Sequence, residues 1–147
     1  MYKSIVVGTD GSDTASEAVR AAIGLAKQSG AKLRIVSAFE PVSKVRLREE
    51  ARSAPADVQW AINPLEDVDT VLGEALGWAQ QDGVSAESLA REGDPADALL
   101  DVAEEQGCDL LVVGNKGMSG VKRFLLGSVP NRVAHHAPCS VLIVHTS

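Results

Sequence analysis

Four consecutive aliphatic residues, Leu110-Leu111-Val112-Val113, run into Gly114 without a polar break. A strand that is apolar on both faces has to be covered on both. That confines it to the interior of a sheet with helices above and below, the setting of parallel strands. Similar runs stand at Ser4 to Thr9, at Leu33 to Phe39 and at Ser140 to His145. A less apolar run, Val84 to Arg91, alternates in part and suits a sheet edge.

Helical spacing fills the intervals between these runs. Ala15, Ala18, Val19, Ala22, Ile23 and Ala26 form one apolar stripe, which Gly30 closes. Pro64 to Gln81 carries a second stripe, Leu65, Val68, Val71, Leu72, Ala75, Leu76 and Ala79, with Gly83 beyond it. Asp94-Pro95 makes a clean helix start, and Ala98, Leu99, Val102 and Ala103 follow before Gly107. A fourth helix is predicted from about Ser128 to Ala137. Five strands alternating with four helices predict an α/β fold: a doubly wound, five-stranded parallel sheet, order 3-2-1-4-5, with helices on both faces. The 147 residues suit one domain, 1–147. Glu40 to Asn63, with Pro41 and Pro55, reads as a surface connection with room for a short helix at 46–52.

Composition removes several function classes. Aromatic residues make up only 3% of the chain, too few for the stacking platforms of single-strand nucleic-acid binders. A net charge of −6 disfavours DNA or an anionic membrane as partner. No apolar run is long enough to span a bilayer, and Met1-Tyr2-Lys3-Ser4 enters a strand directly, so the expected location is cytoplasmic. Cys108 and Cys139 flank strands and read as small buried hydrophobes.

In a doubly wound sheet, ligands bind beyond the carboxyl ends of the strands, where the winding direction reverses. With strands 1 and 4 as neighbours, the loops meeting there are Gly8-Thr9-Asp10-Gly11 and Gly114-Asn115-Lys116-Gly117. Glycine loops let backbone N–H groups approach an anion, and a helix beginning at Gly127-Ser128-Val129 adds unpaired donors and a positive dipole end. All 20 Asp and Glu lie at or before Asp109, whereas Lys116, Lys122, Arg123 and Arg132 follow it. Basic side chains alone therefore face an anion from that segment, unless they form an ordinary solvated face. Asp10 has two readings: acceptor for a ribose or for Mg2+ on a phosphate, or an Asx-turn residue that caps the next helix. Gly114 and Gly117 have the ligand-free alternative of a tight strand-to-helix turn.

Two common nucleotide signatures are missing: Gly-x4-Gly-Lys-Ser/Thr, and Gly-x-Gly-x2-Gly after strand 1. Gly114-x2-Gly117-x9-Gly127-Ser128, by contrast, resembles the nucleotide motif of the universal stress proteins. The likeness extends to Ile5-Val-Val-Gly-Thr-Asp-Gly-Ser, Leu125-Leu-Gly-Ser-Val and Pro138-Cys-Ser-Val-Leu-Ile-Val. The resemblance implies a small Rossmann-like domain, usually a homodimer, that acts in stress tolerance and binds ATP or another adenine nucleotide. By that resemblance Gly114, Gly117, Gly127, Ser128 and Val129 hold phosphates and ribose. Asp10 faces ribose or metal, Thr9 lines the site, Ala38 meets adenine through its backbone, and Val113 packs close to the ligand. Pro130 stands where a hydroxyl residue is frequent and removes one donor, so a shorter or cyclic nucleotide such as AMP or cyclic AMP remains compatible.

No residue that would activate a nucleophile is identifiable, and His135, His136 and Cys139 do not have zinc spacing. The expected role is thus nucleotide binding without rapid turnover. The alternatives are a slow ATPase or adenylyl-transferring enzyme, and a nucleotide-free interaction module. The apolar last strand, Ser140 to His145, falls at a sheet edge and predicts a homodimer through that edge, unless the tail or a helix covers it.

Overall fold

The computed structural model describes residues 1–39, 65–115 and 128–146. Its elements are β1 (Ser4–Gly8), α1 (Asp13–Ser29), β2 (Lys32–Phe39), α2 (Leu65–Gln81), β3 (Ala86–Glu92), α3 (Pro95–Glu105), β4 (Leu110–Gly114), α4 (Ser128–His136) and β5 (Ser140–Val144). The five strands form one parallel sheet in the order β3-β2-β1-β4-β5. The predicted topology is the observed one. Element ends differ by a residue or two: β5 stops at Val144 rather than His145, and β3 starts at Ala86 rather than Val84. The segment 40–64, with its expected short helix, lies outside the described residues.

Strand alternation divides the core into two layers. Ile5, Val7, Leu33, Ile35, Leu110 and Val112 face α1 and α2, whose Ala18, Val19, Ala22, Val68 and Leu72 cover them. Val6, Val36, Leu111 and Val113 face the opposite way, against Leu99 and Val102 of α3 and Val129 and Val133 of α4. Both faces of β1 and β4 are therefore buried, as their unbroken apolar sequences require. Helix ends follow local chemistry. The Ser12 hydroxyl accepts from Ala15 N at 3.2 Å to cap α1, and Gly30 ends that helix at φ 71°. Asp94 caps α3 by accepting from Asp97 N at 3.0 Å, with Pro95 just inside. Trp78 packs half-buried against the first layer, with the Arg20 guanidinium 4.2 Å from its ring centre.

At the amino end of the sheet, Asp109 fastens β4 to β1. Its carboxylate accepts from Lys3 N at 2.9 Å and Ser4 N at 3.1 Å, while Asp109 N donates to Ser4 O at 2.9 Å. Burial pushes this carboxyl upward, but the Lys3 and Ser4 N–H groups and the nearby N-terminal charge outweigh it, and the pKa lies below its ordinary value of 3.8. A depressed folded-state pKa adds stability above the unfolded value, and that stability is lost as pH falls through the folded one. Asp109→Asn is therefore expected to melt below wild type at neutral pH, with the gap closing under pH 3.8. Thermal melts from pH 7 to pH 2 check this; a gap that stayed constant would contradict it.

Candidate functional site

The carboxyl ends of β1 and β4 lie side by side, with Val7 opposite Val112. Thr9 N continues the ladder past β1 by donating to Val36 O at 3.0 Å. The chain then turns sharply into α1. Thr9, only 2% exposed, accepts from Gly11 N through its hydroxyl at 3.1 Å, and Asp10 Oδ1 accepts from Ser12 N at 3.0 Å. Asp10 therefore makes the Asx turn, the local alternative in its sequence reading, and that turn delivers Ser12 to its capping position. Gly11 sits at φ +85°, and an added Cβ would fall 2.6 Å from Val71 Cγ2 of α2. Only glycine fits both the turn and the helix that crosses it.

The expected site residues sort onto the two faces of the sheet. Gly8, Ala38, Val113 and Val129 lie on the α3–α4 side. Gly8 has its missing Cβ against α3: a Cβ there would stand 2.6 Å from Leu99 Cδ1. Gly8, Leu99, Val113, Val129 and Pro130, with Ala15 and Gly114, line a small cleft of about 20 Å³ at the β1–β4 junction. That volume is water-sized, a floor rather than an enclosing pocket. Gly114 lies on the other face. A Cβ there would meet Thr14 O and Thr146 Cγ2 at 3.6 Å and Ala18 Cβ at 3.9 Å. At this position, then, the bare strand end admits α1 and the C-terminal tail; an added side chain would head inward, toward those neighbours.

α4 starts at Ser128, which is exposed, followed by buried Val129 and Pro130. Its first turn holds no acidic residue, so its orphan N–H groups and dipole are uncompensated by its own side chains. Lys116, Gly117 and Gly127 lie outside the described residues. One part of the charge reading needs correcting. Arg132 is not held open for an anion: it bridges Asp94 at 3.2 Å and Asp97 at 2.6 Å, on α3. Sequence separation hid this pairing, because the carboxylates come from an earlier helix that packs beside α4.

The remaining candidates are plain in their settings. Cys108 is buried, and burial, then Cys108 and Asp109, push the Cys139 thiol above its ordinary 9.0, away from thiolate chemistry. Among the described residues no group of three or more His, Cys, Asp and Glu could hold a metal ion, and no helix is long and apolar enough to cross a membrane. A larger cavity of about 300 Å³, beside Tyr2, Ile5 and Leu25, opens at the amino end of β1, opposite the glycine-bearing strand ends.

Two bare strand ends, a positive-φ glycine turn and an acid-free helix start thus meet at the reversal point of a 3-2-1-4-5 sheet. A model of the universal stress protein family matches residues 1–145. The chain belongs to the universal stress protein family. Universal stress protein Rv1636 of Mycobacterium tuberculosis is 41% identical over 149 aligned residues, covering 99% of this chain and 98% of the relative. Universal stress protein MJ0531 of Methanocaldococcus jannaschii is 36% identical, covering 98% of this chain and 82% of the relative. A solved universal stress protein structure in complex with cAMP superposes with a TM-score of 0.73 at 40% identity, covering 99% of this chain and 98% of that one.

The sequence reading passed over two contributors in this universal stress protein fold. Leu99 belongs to a helix stripe in which nothing local points to Gly8, and Asn115 stands in the glycine loop with no chemistry of its own marked by the motif. Asn115 carries a usable signal: it is a polar residue only one glycine past a four-residue apolar run, where burial demands partners.

Proposed function

We propose that the chain binds an adenine nucleotide across the carboxyl ends of β1 and β4, as a stress-response regulatory module without rapid turnover. The supporting observation is the convergence of Gly8 and Gly114 with the acid-free start of α4. The 40% identical relative in complex with cAMP makes cyclic AMP one ligand to test, and ATP is the other. In this reading Gly114, Gly117, Gly127, Ser128 and Val129 serve phosphate and ribose, with Lys116 as a nearby cation. Gly8, Thr9 and Val113 line the cleft, and the Ala38 backbone serves adenine. Asp10 serves ribose or, with ATP, Mg2+; its Oδ1 already accepts from Ser12 N, so this requires the carboxylate to do both.

The same reading includes a cytoplasmic homodimer with no nucleic-acid or membrane partner. β5 is an outer strand whose Leu142 is 37% exposed, and pairing with a copy of itself would cover that edge. Light scattering behind size exclusion tests the dimer; a monomer at every concentration would remove it.

Mass spectrometry of nucleotide released from purified protein, followed by titration with ATP and cyclic AMP, tests the ligand. Bound adenine nucleotide with turnover under about one per minute is the expected result, against ~1–10³ per second for ordinary enzymes. Rapid phosphate or AMP release would make the protein an enzyme. Failure to bind either nucleotide would leave a ligand-free interaction module.

A further inference from the structure

Thr146 lies two residues beyond β5, yet it is 1% exposed. Its backbone N–H donates to Asn115 Oδ1 at 2.7 Å, and its hydroxyl donates to the same oxygen at 2.9 Å. Asn115 is itself 8% exposed, and its own N–H donates to Val144 O at 2.9 Å. A backbone N–H only donates, so the atom of Asn115 that receives it is the carboxamide oxygen, which fixes the orientation of the amide.

The bond pattern has a specific meaning. In a parallel ladder, a residue whose N–H reaches one neighbour's carbonyl offers its own carbonyl to the N–H two residues further along that neighbour. For Asn115 those two positions are Val144 and Thr146. The Thr146 N–H instead takes the Asn115 side chain. The side-chain carbonyl thus replaces the main-chain carbonyl in the ladder. β5 extends its pairing to Thr146 through the Asn115 side chain, one residue past the end of β4. The Thr146 methyl meanwhile packs where a Cβ on Gly114 would reach, at 3.6 Å, beside Thr14 O of α1.

We propose that Asn115 and Thr146 form a positioning latch, through which the C-terminal tail fixes the point where the chain leaves β4 and so sets the affinity of the nucleotide site. The inference rests on the ligand reading given under Proposed function. Neither residue need touch the ligand. Opening the latch lowers the fraction of molecules with the loop start in its binding geometry, and apparent affinity falls by that fraction. Reciprocity requires that bound nucleotide tighten the latch in turn.

The test is calorimetric titration of the full chain with cyclic AMP and with ATP, for wild type, Thr146→Val, Thr146→Ala and Thr146→Ser. The first two variants remove the hydroxyl donor; the third restores it. Thr146→Val and Thr146→Ala should weaken binding about tenfold, ~1.4 kcal/mol, with Thr146→Ser within about twofold of wild type. A purely structural contact would lower the melting temperature and leave the dissociation constant unmoved, and that result overturns the latch. Hydrogen exchange on wild type supplies a readout free of folding defects. Saturating nucleotide should slow exchange at the Thr146 amide, and unchanged exchange overturns the proposal. If wild type binds neither nucleotide, the ligand reading falls and the latch with it. If wild type binds and the folded variants bind equally well, only the latch falls.

Discussion

Gly8→Ala is expected to destabilise the protein by about 1–3 kcal/mol, and Leu99→Ala by about 2–5 kcal/mol, yet the double variant should be more stable than their sum implies. The cause is a single contact. A Cβ on Gly8 falls 2.6 Å from Leu99 Cδ1 and 3.1 Å from Leu99 Cγ, and Leu99 is 2% exposed, with its neighbours packed around it. Alone, the added methyl forces Leu99 out of its position. With Leu99 already cut to alanine, the same methyl enters the space left behind. Denaturant melts on the four proteins give the coupling directly, expected at about 1 kcal/mol or more in the favourable direction. Additive effects within about 0.3 kcal/mol would mean that Gly8 and Leu99 do not share this space. Because Leu99 also floors the cleft at the β1–β4 junction, Leu99→Ala should weaken nucleotide binding in the same samples.

Gly11→Val is the second large effect. Gly11 holds φ +85°, a region that costs a β-branched residue about 1–3 kcal/mol, and its Cβ would fall 2.6 Å from Val71 Cγ2. Strain and clash add, because neither relieves the other, and a loss of about 2 kcal/mol or more is expected. The damage should spread to the ligand site, since Gly11 N donates to Thr9 and the adjoining turn sets the start of α1. Gly114→Ala is the control. Gly114 is not among the positive-φ glycines, and a Cβ there meets nothing nearer than 3.6 Å. Alanine at 114 should change stability by less than about 1 kcal/mol. A glycine-by-glycine denaturation series checks the ranking; equal losses at 11 and 114 would refute it. Stability at Gly114 thus follows from α1 and the tail, separately from any role of that glycine toward a phosphate. The shape of α1 and the tail decides what fits there.

The fold was legible because its signals are local. Four aliphatic residues before Gly114, the Ser12 and Asp94 caps and the glycine after each helix mark their elements without reference to partners. The winding rule sets only the hand of the crossovers; the 3-2-1-4-5 order is one pattern of doubly wound sheets, and the weaker apolarity of β3 suits an edge or near-edge position. The site was legible at the level of which strand ends meet. What the sequence concealed were pairings between distant segments. Arg132 looks like a free cation until α3 brings Asp94 and Asp97 beside it. Gly8 looks like an ordinary loop glycine until Leu99 is seen against it. Asn115 looks like a loop residue until Thr146 arrives from the other end of the chain. Each depends on a contact whose partner no local pattern specifies.

The grip of Asp109 begins at Lys3, which leaves Met1 fully exposed at the far end of the sheet from the cleft. Thr146, by contrast, is sealed in beside Gly114. An affinity handle or fluorescent fusion placed ahead of Met1 starts in open solvent, whereas one appended at the carboxyl terminus follows within a residue of buried Thr146, beside Gly114. Binding measurements on this protein therefore belong on amino-terminally labelled material.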